Sequence, residues 1–328
     1  MASVRGRRLR LILPALAALA AATSLLPEPG GASADTGPEL SVAPAALEAT
    51  LECPTPIDDA GRDVIILVPG TTVHPRTNFG MLWIKAFEAL GYPYCYVVTP
   101  KRGMDDIQVS SEHVVYAIRE VHRRSGRKVD VIGHSQGGTN PRWALRWWPD
   151  TRAMVDDYIG IAPSAHGGKS VNTMCSDGDC APAIWQQTYM SNFIRAMNSG
   201  GETFPGIDYT VAWTAYDEFL RPPESTTIAG ATNIQLQEIC PANTSEHVAI
   251  GTHDPVTYAI AMDALNHAGP ADPARLDRAV CGQAFAPYVD PVTFPADYAQ
   301  AWGEIWTQLV TYPQVKAEPP LKPYARGT

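Results

Sequence analysis

The stretch Val129-Asp130-Val131-Ile132-Gly133-His134-Ser135-Gln136-Gly137 decides the fold of this 328-residue chain. Val129 to Ile132 is a β-branched run typical of a buried strand, and Asn140 to Trp148 has the apolar spacing of a helix. The five residues Gly133 to Gly137 match the pattern G-x-S-x-G. Glycine is needed on both sides of the serine because side chains there would collide with neighbouring elements. The motif therefore predicts a tight strand-to-helix turn, a nucleophile elbow, that exposes the Ser135 hydroxyl.

Strands and helices alternate on both sides of this motif. Further strands are predicted at Val64–Val68, Tyr94–Val98, Val155–Ala162, Tyr209–Ala215 and Ile234–Ile239, and further helices at Met81–Leu90, Asp105–Arg124 and Val256–His267. Continuous apolar strands separated by amphipathic helices are typical of a mostly parallel central sheet with helices on both faces. The chain shows no internal repeat and no linker, so residues 35–328 are expected to form a single domain of the α/β class with the α/β-hydrolase fold.

The first 34 residues form a predicted secretory signal peptide. Four arginines between Arg5 and Arg10 precede the apolar run Leu11–Leu26, and the small-residue triplet Ala32-Ser33-Ala34 stands just before Asp35. An uncleaved membrane anchor is the alternative, but the 16-residue apolar run is shorter than the about 20 residues of a spanning helix. We therefore expect cleavage after Ala34 and secretion. The pair Arg7-Arg8 leaves the general secretory and twin-arginine export routes open.

Charge and cysteine content limit the partners of the mature chain. Cleavage after Ala34 leaves 21 basic and 33 acidic side chains, a net charge of −12. A chain this acidic, without a basic run, is poorly suited to nucleic acid, and no later apolar stretch could insert stably into a membrane. We expect a soluble monomer. Six cysteines predict three disulfides, and metal binding is disfavoured because the sequence has no C-x-x-C pair and no histidine cluster with ligand spacing.

A serine nucleophile needs a histidine base, and the sequence offers several histidines. In this fold the chain order is serine, acid, histidine, so the base should come late in the chain. His247 lies in the predicted loop after the last predicted strand, which is where the base should project. His166 precedes any plausible acid, His253 looks like the start of a helix, and His267 lies within one. His134 neighbours the nucleophile and is expected to pack beside the site.

The acid that orients the base should follow a strand at the carboxyl edge of the sheet. Asp217 comes directly after the predicted strand Tyr209–Ala215, and Glu218 is its neighbour and rival. Asp208 precedes the same strand and so lies at the wrong edge. Order and position therefore favour Asp217 as the acid and His247 as the base.

Six segments of the chain match one protein family closely. They are Leu67–Thr71, Leu90–Cys95, Ser135–Gly138, Trp185–Thr188, Thr214–Glu218 and Glu318–Arg326. The Trp-Gln-Gln and Pro-Tyr-Ala-Arg sequences among them are specific to that family rather than to the fold at large. From about Cys53 to Arg326 the chain resembles the Candida antarctica lipase B-like family, which includes secreted bacterial lipases of the α/β-hydrolase superfamily.

The resemblance implies the same three triad residues as the positional argument and adds a surrounding site. Thr71 matches the oxyanion-hole threonine of the family, which supplies a backbone N–H and a hydroxyl, and Gln136 supplies a second backbone N–H. Gln187, Ile184 and Phe219 fall where the family lines its acyl and alcohol pockets. The resemblance implies no cofactor and no metal.

The resemblance also bears on the cysteines. The pairs Cys53–Cys95 and Cys240–Cys281 match disulfides of the family, but Ala317 stands where a third would begin. Cys175 and Cys180 instead flank a short loop, and we expect them to pair with each other, near the entrance of the site.

The predicted function is that of a carboxylic ester hydrolase acting on lipid-like substrates, at a lipid–water interface, through an acyl-enzyme. A polyester depolymerase or cutinase-like enzyme is the alternative because it shares all of this chemistry. A non-catalytic binding module on the same fold is disfavoured because both the serine and the histidine are present. His134 replaces a tryptophan of the fungal member and Ser164 an aspartate, so the stereoselectivity of that member is not expected to transfer.

Overall fold

The structure, a computed structural model, describes residues 1–2 and 36–327. The chain divides into two units, Met1–Ala32 and Ser33–Thr328, and all the elements named below belong to the second. Residues 3–34 of the predicted signal peptide, and the cleavage site after Ala34, lie outside the described residues. The predictions of a signal peptide and of a single domain over residues 35–328 therefore stay predictions.

A seven-stranded sheet runs through the described part of the second unit. Its strands are β1 (Leu51–Glu52), β2 (Val64–Val68), β3 (Tyr94–Val97), β4 (Val129–His134), β5 (Val155–Ile161), β6 (Asp208–Trp213) and β7 (Thr232–Gln235). The spatial order is β1-β3-β2-β4-β5-β6-β7, and β1 is antiparallel to β3 while the other neighbours are parallel. This order places β4, the strand that leads to Ser135, in the middle of the sheet.

Helices pack on both faces of this sheet. In the described residues they are α1 (Pro44–Glu48), α2 (Pro75–Phe79), α3 (Trp83–Leu90), α4 (Ile107–Ser125), α5 (Gln136–Trp147), α6 (Lys169–Met174), α7 (Pro182–Gln186), α8 (Asn192–Asn198), α9 (Leu236–Ile239), α10 (His247–Thr252), α11 (Pro255–Asn266) and α12 (Phe294–Thr311). None of these helices has both the length and the apolar character needed to cross a membrane.

Alternate residues of β2 show why the sheet is covered on both faces. Ile66 and its neighbours two positions away belong to one apolar core together with Val114 of α4 and Trp143 of α5. Ile65 and Leu67 belong to a second core that includes residues of α3 and α11. Successive side chains of a strand point to opposite faces, so a continuous apolar strand needs helices on both sides. The predicted α/β-hydrolase architecture is confirmed.

Several predicted boundaries hold and two need correction. Gly91 and Gly126 end α3 and α4 in the left-handed conformation, with φ of 70° and 68°, as glycine after a helix commonly does. The strand predicted at Ile234–Ile239 stops at Gln235 because Leu236 and Ile239, three residues apart and both buried, form the inner face of α9. The helix predicted from Asn140 begins earlier, at Gln136.

Three disulfides connect the described cysteines. They are Cys53–Cys95, Cys175–Cys180 and Cys240–Cys281, which confirms the pairs expected above. The Cys175–Cys180 bridge closes the segment between α6 and α7, and the backbone of Cys180 pairs with that of Val315. The α6–α7 segment is therefore tied both to itself and to the chain that follows α12.

Candidate active site

The nucleophile elbow lies between β4 and α5. Ser135 has φ 56° and ψ −125°, a backbone conformation that residues other than glycine rarely adopt. A Cβ added at Gly133 would stand 2.1 Å from the carbonyl oxygen of Gly137, and one added at Gly137 would stand 1.9 Å from that of Val68. Both glycines are therefore required by close backbone contacts, as the motif predicts. The backbone N–H of Ser135 donates to the carbonyl of Ile161 at the end of β5, 2.9 Å away.

Asp217 and His247 meet at the carboxyl edge of the sheet. His247 Nδ1 lies 2.6 Å from Asp217 Oδ2, and both side chains are buried. The other oxygen, Asp217 Oδ1, accepts backbone N–H groups of Phe219 at 3.0 Å and Leu220 at 2.7 Å. His247 is the first residue of the short helix α10, capped by Glu246, rather than a loop residue as expected. The carboxylate is thus fixed on both oxygens and the imidazole by its helix.

The other residues considered as acid or base have different partners in the structure. Glu218 Oε2 accepts the backbone N–H of His247 at 3.1 Å and so touches its main chain rather than its ring. His166 binds Glu202 at 2.9 Å, His253 packs on the rings of Phe285, Phe294 and Tyr298, and His267 binds Asp263 at 3.2 Å. Asp208 begins β6, at the opposite edge of the sheet.

The groups around the pair raise the pKa of His247 and lower the pKa of Asp217. Burial lowers the pKa of His247, but the charge and hydrogen bond of Asp217, with smaller contributions from Glu218 and Glu246, outweigh it and raise that pKa above 6.5. Burial raises the pKa of Asp217, but the His247 charge and the hydrogen bonds it accepts leave it below its ordinary value. Burial raises the pKa of Glu218 to about 7.

Thr71 is the centre of a hydrogen-bond network that the sequence did not reveal. It follows β2, and its Oγ1 donates to Gln136 Oε1 at 2.7 Å while accepting from Gln187 Nε2 at 3.0 Å. Ser164 Oγ in turn donates to Gln187 Oε1 at 2.8 Å. Gln187 was expected to line the pocket, but no role was predicted for the side chain of Gln136 or for Ser164. The only sequence signal was that Ser164 replaces the aspartate of the fungal relative.

An apolar cleft opens at these residues. The predicted residues Ser135, His247, Thr71, Gln187, Ile184 and Phe219 all line it, whereas Gln136 is buried behind Thr71. Ala301, Ile305 and Leu309 of α12 also line it. These three residues recur every four positions, an apolar stripe that could have been found in the sequence. In the described structure Ser135 and His247 are not hydrogen bonded, and this contact often tightens only when substrate binds.

A group of acidic residues lies at the opposite edge of the sheet. Oxygen atoms of Asp63, Asp130 and Asp156 approach within 4.8 Å of one another. Asp63 pairs with Arg127 at 2.6 Å and Asp156 with Lys128 at 2.9 Å. Two of the three carboxylates are thus already neutralised by side chains, and the group stands apart from the cleft.

Comparison with known proteins places this chain among lipases. Lipase B of Pseudozyma antarctica is 30% identical over 321 residues, which cover 95% of this chain and 92% of that protein. The crystal structure of Aspergillus fumigatus lipase B is also 30% identical, has a TM-score of 0.80, and is matched over 91% of this chain and 77% of that one. No protein-family model matches the chain. The similarity spans the sheet and the cleft, and the chain belongs to the lipase B family of carboxylic ester hydrolases.

Proposed function

We propose that this protein hydrolyses lipid-like carboxylic esters with Ser135 as nucleophile, His247 as base and Asp217 as the acid that orients the base. The observation that carries the proposal is the buried 2.6 Å contact between His247 and Asp217, beside a strained serine in the same apolar cleft. The family provides independent support, because the chain matches lipase B proteins over nearly its whole length.

The reaction proceeds by two acyl transfers. Ser135 Oγ attacks the ester carbonyl while His247 Nε2 takes its proton, and Asp217 stabilises the imidazolium that forms. The tetrahedral intermediate collapses, the bond to the alcohol breaks, and His247 donates its proton to the departing oxygen. Water then attacks the acyl-enzyme by the same route, which releases the acid and restores the serine.

Thr71 and Gln136 are the proposed donors to the oxyanion. The backbone N–H of Gln136 is at the start of α5, where such groups have no partner within the helix. Thr71 offers its backbone N–H and its hydroxyl. In the structure this hydroxyl donates to Gln136 Oε1, so it must turn toward the substrate, while Gln187 Nε2 continues to hold its oxygen.

Replacing Thr71 by valine should lower kcat by about 10²–10³-fold, because one donor to the oxyanion is lost without a change of shape. Initial rates on p-nitrophenyl butyrate measure the effect. Thr99→Val is the matched control, because the buried Thr99 hydroxyl has no hydrogen-bond partner among the described residues. Equal kcat values for the two variants would remove the Thr71 hydroxyl from the oxyanion hole.

The pH dependence follows from the raised pKa of His247. The base must be neutral to accept the serine proton, so kcat/KM should rise with pH along a limb centred above 6.5. Glu218, with a pKa of about 7, titrates in the same window. The profile is therefore measured with the native protein and with Glu218→Gln. A limb that disappears in Glu218→Gln would assign it to the glutamate instead of the base.

The lining of the cleft favours substrates with apolar acyl groups. Val171 and Met174 of α6, Ile184 of α7, and Ile305 and Leu309 of α12 give it an apolar wall, against which alkyl chains bind by the hydrophobic effect. The test is hydrolysis of p-nitrophenyl butyrate and palmitate. Hydrolysis of both is expected, and the ratio separates esterase from lipase behaviour. A folded protein that cleaves neither ester would contradict the proposal.

Export from the cell is part of the proposed function. Three disulfides in the described residues are stable in an oxidising compartment and rare in the cytosol. The predicted signal peptide supports the same destination. The amino terminus of the exported protein should be Asp35, and a protein that retains residues 1–34 would contradict cleavage after Ala34.

A further inference from the structure

Two side chains contact the main chain of His247, one at its N–H group and one at its carbonyl oxygen. Its N–H donates to Glu218 Oε2 at 3.1 Å, and its carbonyl oxygen lies 2.9 Å from Nε2 of His134. On the basis of the function proposed above, we propose that His134 is a positioning residue for His247. It holds the backbone of His247 in place and connects it to Ser135 and to the segment that contains Gly70 and Thr71. The sequence had suggested only that His134 packs beside the site.

The carbonyl of His247 determines which nitrogen of His134 carries the proton, because a carbonyl oxygen can only accept a hydrogen bond. The backbone N–H of Gly70 donates to Asn78 Oδ1 at 2.8 Å. Asn78 Nδ2 lies 3.0 Å from His134 Nδ1 and Asn78 Oδ1 lies 3.2 Å from it, so the amide can serve either tautomer, whereas the carbonyl of His247 can serve only one. The proton therefore lies on Nε2, where it is donated to the carbonyl of His247. The reverse tautomer would place two acceptors against each other.

Through this chain of contacts one side chain joins three parts of the site. Gly70 directly precedes Thr71, the proposed oxyanion donor, and His134 directly precedes Ser135. His134 is buried, with 5% of its surface exposed, and it also lines the cleft. An apolar side chain of similar size could fill the same space but would remove this hydrogen bond to the carbonyl of His247.

Helix α10 approaches the ring of His134 closely at Gly251. A Cβ added at Gly251 would stand 2.5 Å from the ring of His134, so only glycine lets the helix approach this closely. The carbonyl of Gly251 accepts Trp83 Nε1–H at 2.9 Å, which anchors that turn of the helix. The rings of His134 and His247 lie 5.1 Å apart. Helix α10, which carries His247, thus packs directly against the ring of His134.

The ring has a constant charge in the working pH range. Burial, followed by the nearby charge of His247, lowers the pKa of His134 to about 3. The titratable groups that act on His247 are Asp217, Glu218 and Glu246, and the charge of His247 acts on His134 in turn. His134 therefore remains neutral while His247 titrates, and it affects the base by position rather than by charge.

The test compares His134→Leu with His134→Gln. Leucine removes both hydrogen bonds at similar volume, whereas the glutamine amide reaches about as far as Nε2 and can donate to the same carbonyl. Active sites are counted by stoichiometric release of p-nitrophenol from diethyl p-nitrophenyl phosphate, and kcat, KM and the pH profile are measured per active site on p-nitrophenyl butyrate. A titrated native protein separates failure of this inference from failure of the proposed function.

We expect His134→Leu to lose about 10²-fold in kcat, the size of effect that a small misplacement of a catalytic group has, with little change in KM. Its acid limb should move to lower pH, because a loosened base has a weaker contact with Asp217. His134→Gln should recover most of both effects. A leucine variant with the native kcat and acid limb per active site would overturn the inference, as would a glutamine variant no better than leucine.

Gly251→Ala keeps His134 and covers the case in which the leucine variant fails to fold. The added methyl group must displace the ring, so kcat per active site and the acid limb should change in the same directions. Native values in Gly251→Ala would overturn the inference. If the native protein itself releases no p-nitrophenol, the proposed function fails and this inference fails with it.

Discussion

Replacing Ser135 by alanine should lower kcat for ester hydrolysis by about 10⁶-fold, the loss typical of removing the nucleophile of a serine triad. The fold should survive, because the alanine Cβ occupies the same position and the strained turn depends on Gly133 and Gly137. The measurement is the initial rate on p-nitrophenyl butyrate, with thermal unfolding as a check of folding.

Ser125→Ala is the matched control for this variant. Ser125 is also a buried serine, but it ends α4 near the start of β4, at the opposite edge of the sheet from Ser135. It should keep the native rate. A Ser135→Ala protein that folds and retains activity would show that another residue attacks the ester.

The second large effect is expected for Asp217→Asn, with a loss of about 10⁴-fold in kcat. The amide nitrogen of asparagine would face His247 Nδ1, and the imidazole would then hold its proton on the wrong nitrogen. The loss of the carboxylate charge should also lower the pKa of His247, since Asp217 contributes most to raising it. Rates across a range of pH measure both changes.

Glu218→Gln separates the two neighbouring acids. Glu218 contacts the backbone N–H of His247 rather than its ring, and the amide oxygen of glutamine can still accept that bond. Its loss in kcat should therefore be much smaller than that of Asp217→Asn. If Glu218→Gln is the more damaged variant, the acid has been assigned to the wrong residue.

Local patterns explain why so much of this site could be predicted from the sequence. The elbow is determined by residues within one short segment, since Gly133, Ser135 and Gly137 must fit a single turn between a strand and a helix. Asp217 was favoured as the acid because side chains directly after parallel strands gather at one edge of the sheet. Chain order, together with the position after the last predicted strand, then favoured His247 as the base, and the structure brings it to Asp217.

The contacts that could not be predicted join residues far apart in the chain. His134 meets the carbonyl of His247 across 113 positions, and no periodicity or spacing signals a contact between a side chain and a backbone group at that distance. The same holds for Gln187 and Thr71, 116 positions apart. The wall that α12 adds to the cleft depends on how that helix docks, which its apolar stripe alone does not specify. Long-range packing thus accounts for what the sequence left open.

The proposed catalytic triad is tested most directly by locating the residue that a fluorophosphonate modifies. Such a reagent bonds covalently to an activated serine, and peptide mass mapping then identifies the labelled residue. We predict one label per chain, on Ser135, with labelling greatly slowed in Asp217→Asn. A label on another residue, or none on a protein that still hydrolyses esters, would contradict the assignment of Ser135, His247 and Asp217 as the catalytic triad.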